Sequence, residues 1–390
     1  MLLGFKTELN LNNEQRTVLA RHAGTARHAY NWGVWLTQNI LAHNQANPSS
    51  KLKFPSSIDL HKLLVAMVKP ENPWYYEVSK CAPQYALKAL RDAWDNCFKK
   101  KKGRPRFKQK GQHDSFILDG TIKILGANRV QVPVIGVLKT FETLPQVKPK
   151  NVTISRQSHK WFMSFKIEIE PMQTEKTNLS VGVDLGVKQF ATLSNGQVFD
   201  APPEYKQLQA KIAKLQYLNR NKQRGSFGYK DFQKCVARLH YKLACIRKDF
   251  LNKLTTYLAH NFQVVCIEDL NVSGMLKFGK LAGAVAMLGF SEFRRQLEYK
   301  CKLYGSRLSI IGRWEPSSKT CSNCGWKNSE LTLQDRVFDC WECRHSMDRD
   351  LNAALNIESM GLSLSSSRLV DVEVPTPTVE ASKFQFVRKR

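Results

Sequence analysis

No stretch of this sequence is long and apolar enough to span a membrane: the longest apolar run, Leu281 to Phe290, stops short and is broken by glycines. The opening MLLGFKTELN lacks the extended apolar core of a secretion signal, so cytoplasmic residence is the default expectation. Acidic residues are also scarce. The chain carries 33 Asp and Glu against 60 Lys and Arg, a formal net charge of +27. An excess of that size calls for a polyanionic partner, most simply nucleic acid, and gives no reason to expect a small-molecule substrate. A ribosome-like structural protein is the plainer alternative. Six of the ten cysteines (Cys81, Cys97, Cys235, Cys245, Cys266, Cys301) are scattered through apolar or helical surroundings and read as reduced thiols rather than a disulfide framework.

What is present divides into two halves, and 390 residues suffice for two to four compact units. Residues 4–10 read as a strand. Asn12, with Gln15 three residues on, forms a capping box for a helix over about 13–43, and a polar loop follows over 44–58. A second helix spans about 84–98, with Leu87, Leu90, Trp94 and Phe98 on one face. The segment KKKKGRPRFKQKG (99–111) is too charged, and too interrupted by Gly103 and Pro105, for a helix. It is either a solvated loop or a phosphate-tracking arm in which Arg104, Arg106 and Lys108 meet phosphates and Phe107 stacks on a base. From 115 to 170 the pattern turns to strands (122–125, 130–137, 152–155, 161–170) that make a small antiparallel sheet or barrel.

The second half opens on VGVDLGVKQFATLSNGQVF, two strands and an Asn195-Gly196 hairpin signal. Two basic helices follow near 203–222 and 230–260, then an apolar strand at 262–270, a helix near 291–304 and a strand at 307–314. In the second basic helix, the stripe from Val236 to Leu258 is core packing. The last 28 residues, 363–390, mix Ser, Pro, Thr and Val and read as a flexible tail.

Two motifs carry chemistry. Cys321-x-x-Cys324 and Cys340-x-x-Cys343 lie 15 residues apart, the spacing of two tight turns that converge on one tetrahedral Zn2+. Four protein ligands leave no open position, so that zinc is structural. The second motif is a set of carboxylates. Asp184 sits inside the apolar strand VGVDLG, where a lone charge is costly; Glu268 and Asp269 end VVCIED; Asp348 and Asp350 flank Arg349 ahead of NAALNI. Taken singly, Asp184 could be an edge-strand charge, Glu268 a strand-end ion pair and Asp350 a helix N-cap. Together, three acids from strand centre, strand end and helix start match a ribonuclease H-like fold in which Asp184, Glu268 and Asp350 converge. Carboxylates held that close need cations, and a two-ion Mg2+ site would activate water and stabilise the leaving oxygen of a phosphodiester. A metal-dependent nuclease is the expectation.

RLHYKLACIRKDFLNKLTT (238–256), VVCIEDLNVSGM (264–275), SEFRRQLEYKCKLYG (291–305), PSSKTCSNCGWKN (316–328) and DRDLNAALNI (348–357) resemble the transposon-encoded TnpB (OrfB) proteins, compact relatives of the type V CRISPR effectors. APQYALKALRDAW followed by GRPRFKQKG and DSF fits the same family in the first half. Glu315, Arg344 and Met347 depart from its usual Phe, Gly and His. The resemblance implies an RNA-guided DNA endonuclease with catalytic acids at Asp184, Glu268 and Asp350. Its partners would be a guide RNA from the transposon end and target DNA bearing a short adjacent motif. It also implies a multidomain α/β architecture: a wedge β-barrel (1–12 and 105–175), a helical recognition insertion (13–104), a RuvC-like nuclease (176–315 and 345–362) and an inserted zinc ribbon (316–344). Arg238, His240, Arg247 and Lys248 on the basic helices join the 99–110 arm as candidates for holding RNA. Two other functions stay open: a non-cleaving nucleic-acid-binding regulator, and a protein-only transposase or resolvase without a guide.

Overall fold

The computed structural model describes residues 1–277, 279–332 and 334–366, with a mixed α/β architecture in two compact units. Among the described residues no helix is long and apolar enough to cross a membrane. Most of the tail expected over 363–390 lies outside the described residues. Its first four residues instead continue the last helix, which runs to Ser366.

One unit comprises residues 1–170 and 208–243. Strand β1 (Leu2–Asn10) leads into α1 (Asn13–Ala46), and the capping box at the junction is formed from both sides, by the Asn12 and Gln15 side chains. Helices α2 (Ser57–Leu63) and α3 (Cys81–Phe98) follow. Gly33 lets α1 and α3 approach closely, since a Cβ there would stand 2.6 Å from Leu90 Cδ2. Trp94 of α3 is buried and donates its indole N–H to Thr37 Oγ1 at 3.0 Å.

Strands β2 (Ser115–Asp119), β3 (Lys123–Ile124), β4 (Arg129–Val132), β5 (Gly136–Thr140), β6 (Asn151–Gln157) and β7 (Lys160–Glu168) join β1 in the order β2-β6-β7-β1-β5-β4-β3. The sequence reading of 130–137 as one strand is corrected here. Pro133 has no N–H to give the ladder, and Val134 and Gly136 take φ of 70° and 88°, so the stretch folds into a hairpin. The long basic helices are α4 (Glu204–Leu218) and α5 (Phe227–Asn261). The boundary between the two units falls inside α5, after Leu243. The part before it touches this unit through Tyr241, whose ring lies 6.2 Å from that of His159.

The other unit comprises 171–207 and the described residues from 244 on. Its sheet runs β10 (Val198–Phe199), β9 (Ala191–Leu193), β8 (Asn178–Leu185), β11 (Phe262–Glu268), β12 (Arg307–Ile311). The β8–β9–β10 meander is antiparallel, whereas β11 and β12 run parallel to β8. Alternation assigns the faces. Val181, Val183, Val265 and Ile267 join one core with α5, α7 (Gly279–Leu288) and α8 (Phe290–Tyr304), reached through the short α6 (Val272–Met275). Val264, Cys266 and Ile311 face α9 (Arg349–Ser366) through Ile357. Before α9, strands β13 (Val337–Asp339) and β14 (Ser346–Asp348) form a two-stranded hairpin.

Glycines allow α9 to lie directly on the sheet. A Cβ at Gly182 would stand 2.7 Å from the Glu358 backbone N, and one on Gly361 would meet Cys266 Cβ at 2.7 Å. Ser180 donates a hydrogen bond to the Glu358 carboxylate at the far end of this contact.

Candidate functional site

The seating of α9 fixes where the acids go. Glu358 lies beside Ser180, and Ala354 lies over Gly182. Four helical residues advance about 6 Å and two strand residues about 6.6 Å, so the next step brings Asp350 to the level of Asp184. The parallel register does the same for Glu268. Ile267 pairs with Val183, which places Glu268 level with Asp184 on the neighbouring strand and on the same face. Three acids from distant parts of the sequence thus gather at the carboxyl ends of β8 and β11.

Electrostatics agree with this placement. Asp184 is pushed up to about 7, first by burial and then by the negative charges of Asp350 and Glu268. Burial also raises Glu268, with Asp269 adding to the effect. All three side chains keep a partly open surface. Arg349, between Asp348 and Asp350, partly offsets the rise at Asp184. Its Nη1 donates to the Thr332 carbonyl at 3.0 Å, its Nη2 lies 3.6 Å from the Asp350 carboxylate, and its Nε is buried without a hydrogen-bond partner among the described residues.

Neighbouring acids do other work. Asp269 is clamped by Arg294 and by Arg313 at 2.8 Å, which hold its carboxyl below the usual range. Asp348, not Asp350, caps α9: its Oδ1 accepts from the N–H groups of Asp350 and Leu351 at 2.9 and 3.0 Å. The N-cap alternative for Asp350 is therefore removed, and its carboxylate faces Arg349 instead. An Asp two residues before the first helical acid was the available signal. A cleft beside Glu268 is lined by Arg294, Arg295, Arg313 and Phe290.

The four clustered cysteines converge, and their sulfur atoms all lie within 4.8 Å of one another. Cys321 and Cys343 are 3.7 Å apart, and Cys324 and Cys340 are 3.5 Å apart. Those separations are far beyond a disulfide and close to the ~3.8 Å edge of a tetrahedron with ~2.3 Å metal–sulfur bonds. The cluster could hold a metal such as zinc. In the first turn Gly325 takes φ 80°, and in the second Arg344 takes φ 57°. Two buried asparagines of α9 tie this region to the helix. Asn352 accepts from Ser322 N–H and donates to the Thr320 carbonyl, while Asn356 donates to the carbonyls of Ser317 and Thr320.

The basic candidates divide. Arg104, Arg106, Phe107, Arg238, His240 and Lys248 are exposed. Lys108 turns inward: its ammonium stands 4.0 Å from the Tyr30 ring centre, and burial lowers its pKa. Arg247 donates from Nη1 to the Ala286 and Met287 carbonyls near the end of α7. Both are half-buried, with these contacts on one side of each cation, and they stay proposed phosphate contacts beside the exposed residues. Sequence shows cationic side chains but not what their stems lie against.

Residues 164–279 match a family described as "Probable transposase", residues 1–45 a "Helix-turn-helix domain" of OrfB-type proteins, and residues 290–357 "Cas12f1-like, TNB domain". Within the second of these matches, residues 13–46 form one unbroken helix. A Streptomyces pristinaespiralis protein named "Putative RNA-guided DNA endonuclease" is 36% identical over 297 residues, covering 74% of this chain and 73% of that protein. Escherichia coli K12 has one of that name, InsQ, 31% identical over 385 residues and 92% of each chain. A solved Cas12f1–sgRNA–target DNA complex aligns over 92% of this chain and 98% of its own at 16% identity, with a TM-score of 0.36, too loose a likeness to carry inference.

Proposed function

The chain belongs to the TnpB (OrfB) family of transposon-encoded proteins, and from that premise we propose that it is an RNA-guided DNA endonuclease whose catalytic acids are Asp184, Glu268 and Asp350. The observation that supports this reading most is Asp184, an acid raised to about 7 by burial and by two other acids, one on the neighbouring strand and one on the helix above. Asp269 is neutralised by two guanidinium groups; in the acid set Arg349 offsets only part of the charge, and imported cations would supply the rest.

An all-oxygen, carboxylate donor set suits hard divalent cations, and Mg2+ fits it. When bound, two such ions activate water and stabilise the leaving oxygen of a phosphodiester. The protein's own part is positional. Strands β8 and β11 hold Asp184 and Glu268 side by side, the Asp348 cap fixes the start of α9, and Asp350 would enter the same site from that first turn. The five-stranded sheet, three antiparallel strands followed by two parallel ones, is the order a RuvC-like domain requires. We read residues 1–12 and 105–175 as the wedge barrel, 13–104 as the recognition insertion and 316–344 as a ribbon on structural zinc. Guide pairing would read the sequence, with the exposed basic residues holding backbone phosphates.

Plasmid cleavage by the chain purified with its co-expressed RNA tests the reading. Cutting is expected in Mg2+ at sites complementary to that RNA, and RNase treatment should abolish it. Cutting that survives RNase points to a protein-only nuclease; binding without cutting points to a regulator. The zinc assignment has its own test. Arg344 is held in the left-handed region that Gly325 occupies in the first turn, at a torsional cost of about 1 kcal/mol. Arg344→Gly is therefore expected to slow metal loss to a chelator roughly five-fold. Unchanged or faster loss would show that the Arg344 side chain supports the turn.

A further inference from the structure

We propose that Trp314 is a base-stacking residue that grips an unpaired nucleotide of the DNA strand at the mouth of the acid cleft. The inference deepens the nuclease reading and rests on it for the identity of the strand. Trp314 is 90% exposed. It stands in a tight turn, Gly312 to Glu315, closed by the Glu315 N–H on the Gly312 carbonyl at 3.2 Å. Leaving an indole in water forgoes a large apolar burial, and the fold recovers nothing from it there.

The position of that turn is specific. Strand β12 runs parallel to β11 with Ile311 level with Glu268, so the turn leaves the same carboxyl edge of the sheet as the acids. Ligands of open parallel sheets bind outside that edge. The residue before Trp314 is fixed in the cleft wall: Arg313 donates from Nε to the Asp269 carbonyl at 3.2 Å and from Nη2 to its carboxylate at 2.8 Å. Arg294 and Arg295 line the same cleft. These guanidinium groups are already paired with Asp269, Glu298 and Glu292, so the grip would come from the exposed ring itself, as aromatic faces take successive bases of a single strand. A duplex hides its base faces, so the occupant is an unpaired base. The strand that must lie beside the acids is the one to be cut.

Anisotropy of a short fluorescein-labelled oligothymidine, mixed with the full-length chain carrying its co-purified RNA, tests this without relying on cleavage. Trp314→Ala is expected to weaken binding about ten- to a hundredfold, and Trp314→Phe to retain most of it. An abasic analogue at one position should weaken wild type to the level of Trp314→Ala and leave that variant unaffected. Equal affinity of wild type and Trp314→Ala overturns the proposal, as does equal sensitivity to abasic substitution or a loss confined to RNA retention. If strand binding depends on Trp314 yet wild type never cuts DNA, this inference stands and the nuclease reading falls.

Discussion

Asp184→Asn is expected to abolish DNA cleavage, by roughly a thousandfold or more, while RNA binding and overall fold are kept. The substitution preserves side-chain shape and removes only the charge that the divalent ions would share. A second readout follows from the same residue in metal-free protein. Its pKa of about 7 in the fold stands above the ordinary 3.8. Well below pH 3.8 the carboxyl is protonated whether folded or not, so it imposes no cost. As pH rises toward 7 the unfolded chain releases the proton while the fold retains it, and stability falls. At ~1.36 kcal/mol per unit the loss has a ceiling of about 4 kcal/mol, reduced by whatever water reaches the cleft. Urea unfolding should therefore give metal-free wild type a lower midpoint near about pH 8 than near about pH 5, with Mg2+ reversing the drop and Asp184→Asn removing most of the difference, the remainder belonging to Glu268. A variant that still cuts would remove Asp184 from the mechanism. A pH slope that persists undiminished in the variant would mean that another group carries the buried charge.

Much of this site was legible because its parts are local. Asp184 declares itself as a charge in an apolar strand, and the Cys-x-x-Cys pairs declare by spacing alone a cluster that could hold a metal. The capping box at Asn12 is equally local, and it is formed. What the sequence could not settle depends on three-dimensional neighbours. Asp269 and Glu268 are adjacent, yet strand alternation sends them to opposite sides, one into an arginine clamp and the other level with Asp184. The role of Asp348 was hidden because either aspartate of DRD could cap the helix, and only the hydrogen bonds choose. The contacts of Lys108 to Tyr30 and of Arg247 to the end of α7 were equally invisible in the sequence. Gly182 and Gly361 carry no motif; their meaning lies in the helix that needs the space.

Cys324→Ser is expected to abolish zinc binding at the proposed cysteine site and, with it, most cleavage, even though no cysteine touches the acids. A closed four-thiolate site contributes folding free energy, with apparent values of about 10–16 kcal/mol in isolated zinc peptides, and three thiolates hold the ion far less firmly. The loss reaches α9 through named bonds. Thr320 and Ser322 flank Cys321, and both are held by Asn352, two residues after Asp350 on the same helix. If the cysteine loops loosen, the buried amides of Asn352 and Asn356 lose their partners, and the first turn of α9 loses the contacts that aim Asp350. A displacement of about 1 Å at a catalytic group can cost a hundredfold in rate, so cleavage should fall by about that much while RNA binding holds. Metal content measured by atomic absorption, alongside cleavage and RNA retention, checks each part. Asn352→Ala separates the two links: it should keep its zinc and still lose cleavage. If it cuts like wild type, the cysteine cluster stabilises only its own loops and the proposed route to Asp350 is wrong.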